Sequence, residues 1–173
     1  MPIYEFEGKR PQIAASSYVA PTACVIGDVI VGERVYIAAG VVLRGDYGQI
    51  VIGDGTNVQD QTICHGEWDM PVLIGKNNHI GHRAIIHCAS IGDQCLIGMG
   101  SIILDASVIE DCCIIGAGAL LTRGTHVPSR KLFLGMPGKV RGDVSDEQAE
   151  EILAGVIDYQ RLIERSKTIK QID

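Results

Sequence analysis

The sequence predicts an all-β solenoid: a parallel β-helix of six-residue repeats, with one α-helix at its C-terminal end. Three observations predict it. An aliphatic residue recurs at six-residue spacing, with three interruptions, from Ile13 to Val127. Small or branched residues hold the fourth place after most of these aliphatics. Helical spacing and a capping pair begin only after this rhythm stops.

Taken in order, residues 1–12 are a lead-in. The rhythm starts at Ile13, Val19, Val25, Val31, Ile37 and Leu43, then breaks at GDYGQIV. It resumes at Ile52, Val58 and Cys64, breaks again between Gly66 and Leu73, and resumes at Ile74, Ile80 and Ile86. One step is a residue short; Ile91, Ile97, Ile103, Ile109, Ile115, Leu121 and Val127 follow. A period of six fits neither an amphipathic helix nor an alternating hairpin strand. It fits a short strand plus a turn, three of which close a triangular coil. A β-sandwich does not keep one period over such a length. The aliphatics point inward, each burial contributing roughly 1.5–3 kcal/mol. Gly-Asp pairs such as Gly27-Asp28 and Gly92-Asp93 suit the corners. The coils span 13–128, and a connection with the stretch LFLGMPGKVRG occupies 129–144. Residues 145–173 hold a helix and tail. Ser145 with Gln148 reads as a capping box, and Ile152, Val156, Tyr159 and Ile163 follow at helical spacing. The helix is expected from Asp146 to Ser166, with Gly155 costing about 1 kcal/mol relative to Ala. The closing KTIKQID is expected to fray.

A chain of 173 residues suits one domain. Net charge of −6 and a pI near 5.3 argue against a nucleic-acid partner. No apolar run is long enough to span a membrane, and the N-terminus lacks a signal-peptide pattern. The six cysteines lie inside repeats without a C-x-x-C pair. They read as free thiols in a reducing cytoplasm.

The repeat places the chemistry. Leu43, Cys64 and Ile86 are three repeats apart, so they share a face in successive coils. The residues after them, Arg44, His65 and His87, form one outward column about 4.8 Å apart from coil to coil. His82, two places after Ile80, belongs to the preceding face, with Asp60 in the equivalent place one coil earlier and Gln59 beside it. It reaches the His65–His87 column of a neighbouring chain, as three prisms about a threefold axis allow. The expectation is a homotrimer with a metal ion held by His65, His82 and His87 across a subunit interface. Three histidines with an open fourth position are the pattern of catalytic zinc; Fe2+ and Co2+ also accept imidazole. Cys64 takes an inward slot and reads as core packing. His79 and His126 read as ordinary solvated or hydrogen-bonded surface side chains.

These residues bring a resemblance into view. RGD at Arg44-Gly45-Asp46, NVQD at Asn57-Val58-Gln59-Asp60, His65, and GHRAIIH ending at His87 resemble the γ-class carbonic anhydrases, in their bacterial PaaY-like branch. The resemblance covers nearly the whole chain. It implies a left-handed β-helix, a homotrimer, and zinc on His65, His82 and His87. It implies that Arg44 and Asp46 pair across the interface, that Gln59 orients the zinc-bound hydroxide, and that Tyr159 reaches the site. Arg44, Asp46 and Asp60 read equally as a network that holds the trimer. The implied reaction is hydration of CO2 to bicarbonate by zinc-bound hydroxide, a lyase activity. Tyr47 and Trp68 stand where the archetype has glutamates; Glu67 or Asp69 offers a substitute from the loop for exporting the proton, though a solvated loop charge is the plainer reading of both. GMPGK at Gly135–Lys139 resembles the segment after the coils in hexapeptide acyltransferases. It keeps an acyl-CoA partner, as thioesterase or acyltransferase, in play. No long loop bears a histidine for acyl transfer. A metal-stapled trimer with little catalysis is the third expectation.

Overall fold

The structure, a computed structural model, describes residues 2–172, so Met1 of the expected lead-in and Asp173 of the expected tail lie outside it. Three stacks of mostly two-residue parallel strands form the sides of a left-handed prism. One side stacks Val25, Leu43, Cys64, Ile86, Ile103 and Leu121 in register. The second stacks Val31, Ile52, Ile74, Ile91, Ile109 and Val127. The third stacks Val19, Ile37, Val58, Ile80, Ile97 and Ile115. Nearly all of these side chains are buried and together make a single core. The first two sides join into one sheet because Cys24–Val31 and Val42–Ile52 each run unbroken round a corner.

The first break is therefore a strand and not a loop. Its glycines explain how it turns. A Cβ on Gly27 would come 2.3 Å from the Gly45 carbonyl oxygen, and one on Gly45 would come 2.5 Å from that of Asp28. Two coils touch backbone to backbone there, and the central residue of Arg44-Gly45-Asp46 has no room for a side chain. The second break is a tight hairpin closed by Glu67 and Met70.

Two boundaries differ from the sequence reading. Ile3–Tyr4 pairs in parallel with Val25–Ile26, so the lead-in is already part of the first side. The connection is a hairpin: Lys131–Gly135 continues the third side beyond Ile114–Ile115, and Gly138–Asp143 folds back on it antiparallel. Phe133 lies six places after Val127 and fills the next core slot. The rhythm outlasts the aliphatic residues by one step because the last slot has no coil above it. A larger ring fits there.

The helix spans Asp146–Ser166, as the spacing predicts. Ser145 Oγ accepts from the Gln148 backbone N–H at 3.2 Å, and Gln148 Oε1 accepts from the Ser145 N–H at 3.0 Å. Both halves of the capping box are thus made. Ile152, Val156 and Ile163 are buried where the helix lies along the third side. All six cysteines are free thiols. Burial pushes the Cys64 thiol up to about 12, which suits a core side chain and not a ligand. No helix is long and apolar enough to cross a membrane among the described residues.

Candidate metal centre

Strand register carries the outward column. Arg44 pairs with His65 and His65 with His87, in three successive coils. The rings of His65 and His87 lie 5.2 Å apart, and His65 Nδ1 is 3.1 Å from His87 Nε2. A tetrahedral zinc about 2.05 Å from each nitrogen would set them about 3.3 Å apart.

The far side of each ring is held by a carboxylate. Asp46 Oδ1 is 3.0 Å from His65 Nε2, and Asp105 Oδ1 is 2.6 Å from His87 Nδ1. With those outer nitrogens donating, the inner nitrogens of two neutral rings are both acceptors facing one another. A shared cation satisfies both lone pairs, and the donor set fits zinc. Glu67 Oε1 lies 3.9 Å from His87 Nε2 and completes a cluster with His65 and His87. Asp69, the other loop acid, sits exposed in the turn at φ +58°. Tyr47 meets the His65 ring edge-on at 6.3 Å, and the Trp68 ring lies tilted against Tyr47 at 5.3 Å, so Tyr47 borders the histidine pair.

Arg44 Nη1 reaches Asp46 Oδ2 of its own chain at 2.5 Å. Residues two apart on a strand share a side, so this pair forms within one chain. Burial pushes the Asp46 carboxyl up. Hydrogen bonds from Arg44, His65 and the Tyr47 backbone outweigh it and hold the group below the usual carboxylate range.

The remaining expected residues lie elsewhere. Among the described residues, His82 is not gathered with His65 and His87. Its Nδ1 is 2.9 Å from Asp60 Oδ2, leaving Nε2 for a ligand. Gln59, His82 and Tyr159 line a cavity of about 380 Å³ with Leu96, Ile97 and Met99, on the third side beneath the helix. His79 lines it too, half-buried. It is hydrogen-bonded, as one expectation allowed, but to Gln59 inside this cavity and not at the open surface. One protomer thus carries two part-sites. One is the pair His65–His87 with Arg44, Asp46, Glu67 and Asp105; the other is His82 with Asp60, Gln59, His79 and Tyr159. Sequence reasoning missed Asp105 and undervalued His79. Ile86 pairs with Ile103, so Asp105 lies one place beyond the in-register partner of His87, and the column count does not point to it.

Comparisons agree with this architecture. Residues 88–123 match the bacterial transferase hexapeptide family. The carnitine operon protein CaiE of Escherichia coli K12 is 40% identical over 165 residues, covering 95% of this chain and 84% of that protein. A hexapeptide transferase family protein from Anaplasma phagocytophilum superposes with a TM-score of 0.91 at 35% identity, covering 95% of this chain and 97% of that one. A Bacillus cereus protein assigned as an acetyltransferase superposes with a TM-score of 0.95 at 36% identity, covering 97% and 98%. With likeness of this extent running through both sequence and coil geometry, the chain belongs to the bacterial hexapeptide-repeat transferase family, alongside the CaiE proteins.

Proposed function

We propose that the protein is a trimeric metalloenzyme of γ-carbonic-anhydrase type that hydrates CO2, its metal ion shared between His65 and His87 of one subunit and His82 of the next. One observation carries this reading. Each of the three histidines has a carboxylate on the ring nitrogen that a ligand would not use: Asp46, Asp105 and Asp60. Such backing sets tautomer and orientation in metal-binding histidines. A zinc ion held there would supply Lewis acidity, bringing the pKa of bound water to about 7.

The chain's own groups then have distinct tasks. Asp46 and Asp105 keep the inner nitrogens of His65 and His87 unprotonated and aimed at one point. Arg44 neutralises Asp46, so the carboxylate holds the ring without leaving an unpaired charge. Glu67, 3.9 Å from His87 Nε2 on the side of the inner nitrogens, is the candidate for taking the proton that hydration releases. Gln59 and Tyr159 present polar atoms beside His82, where the partner subunit's histidine pair would meet it.

The comparisons favour a second reading: chemistry on an acyl-CoA, either thioester hydrolysis or acyl transfer. The family is named for transferases, and the apolar wall of Leu96, Ile97 and Met99 encloses more room than CO2 needs. Stopped-flow CO2 hydration on zinc-loaded and chelated protein tests the first reading. Hydrolysis of short acyl- and aryl-CoA esters by the same samples tests the second. Zinc-dependent hydration is the expected result. Esterolysis without hydration would reverse the order, and inactivity in both assays would reduce the protein to a metal-stapled trimer.

A further inference from the structure

The cavity beneath the helix contains a hydrogen-bonded chain with a direction, and His79 stands at its end. We infer that His79 is a positioning residue that sets which end of the Gln59 amide faces the cavity. The chain starts at a group that cannot turn round. The Asn78 backbone carbonyl only accepts, so Asn57 offers it Nδ2 at 3.3 Å. Asn57 Oδ1 then accepts from Gln59 Nε2 at 3.1 Å. The second hydrogen of Gln59 Nε2 goes to His79 Nε2 at 2.6 Å. His79 Nδ1 has only a 3.4 Å approach to Asn57 Nδ2, so the shorter contact decides the tautomer. The ring accepts at Nε2 and carries its proton on Nδ1.

An amide nitrogen has two hydrogens, and both are now used. Gln59 keeps one free end, the acceptor Oε1, for the cavity it shares with His82, Leu96, Met99 and Tyr159. The ring itself is held from outside. Gly155 of the helix lies against it, and a Cβ there would come 3.2 Å from Nδ1 and 3.3 Å from Cε1. Tyr159 meets it edge-on at 5.5 Å. Burial, and then the charge of His82, hold the His79 ring below the ordinary imidazole range, which keeps it neutral. The use of this arrangement rests on the function proposed above. An acceptor beside His82 takes a hydrogen bond from the O–H of an attacking water and orients it. A reversed amide would offer N–H groups and turn the water the other way.

The tautomer is read directly by two-bond 1H–15N NMR on the full-length, metal-free protein at pH 7. A neutral ring protonated on Nδ1, with Nε2 at an acceptor shift, is expected. An Nε2-protonated ring or an imidazolium would overturn the inference. Two variants supply the second measurement on zinc-loaded protein. His79→Gln places an amide oxygen near the position of Nε2 and should keep most of kcat. His79→Leu fills the space without an acceptor and should lose about tenfold or more in kcat with KM little changed. Equal losses in both variants, or none in either, would also overturn it. If the zinc-loaded protein hydrates no CO2, the proposed function fails, whereas the NMR result still decides the His79 tautomer.

Discussion

Asp105 and His87 show what one residue does for the site. The hydrogen bond from His87 is the main cause holding the Asp105 carboxyl below its usual range. A carboxyl depressed in the folded state stabilises the fold above its unfolded value of about 3.8, and that contribution is lost as pH falls through the folded value. Asp105→Asn should therefore lower the Tm of metal-free protein above about pH 5, and the deficit should vanish by about pH 2. A deficit constant across that range would mean that the carboxylate charge plays no part. The same variant should bind zinc about 10- to 100-fold more weakly, as read by competition with a chromophoric chelator. Ser101 is a separate case. Its buried Oγ has no hydrogen-bond partner among the described residues. Ser101→Ala should raise stability by about 1 kcal/mol in urea titrations, because an unsatisfied hydroxyl is removed from a small-residue slot.

At the scale of elements, the helix carries a contradiction that the third side of the prism resolves. Glycine inside a helix costs about 1 kcal/mol relative to alanine, so Gly155→Ala should ordinarily stabilise. Here the new methyl meets the His79 ring, which is held by Gln59 on one side and Tyr159 on the other. Gly155→Ala is expected to lower the Tm in the parent protein and to raise it when His79 is also replaced by alanine. Additive effects in this double-mutant cycle would mean that helix and ring are uncoupled. The helix limits and both bonds of the cap were legible in the sequence, because Ser145, Gln148 and the 3.6-residue spacing are local signals. What lay beneath Gly155 was not, since the contact joins residues 79 and 155 through packing alone.

At the scale of the molecule, the two part-sites lie apart in one protomer, and the proposed threefold assembly would bring one to the other. Complementation between variants tests this. Homotrimers of His82→Ala and of His87→Ala should each hold no zinc. Unfolding and refolding an equal mixture should restore about a quarter of the sites, since a His82→Ala subunit keeps the histidine pair and a His87→Ala subunit keeps the third ligand. Elemental analysis of the mixture checks the figure. Full metal content in His82→Ala homotrimers, or no recovery on mixing, would remove the shared site. Replacing one stacked core residue, as in Ile86→Ala, should cost about 2–5 kcal/mol, because the slot is closed above and below by Ile103 and Cys64.

The order of residues alone settled the coil, its inward columns and the alignment of Arg44, His65 and His87. A repeat of constant length turns sequence distance into height along an axis, so counting suffices. Counting also reached Asp60 beside His82. It did not reach the carboxylate of Asp105 on His87, the Arg44–Asp46 pair within one chain, or the chain from Asn78 through Gln59 to His79 beneath the helix. Those depend on side-chain direction and on a helix from the far end of the polypeptide lying against one particular side of the prism. Both are fixed by packing in three dimensions, which a period along one axis does not record.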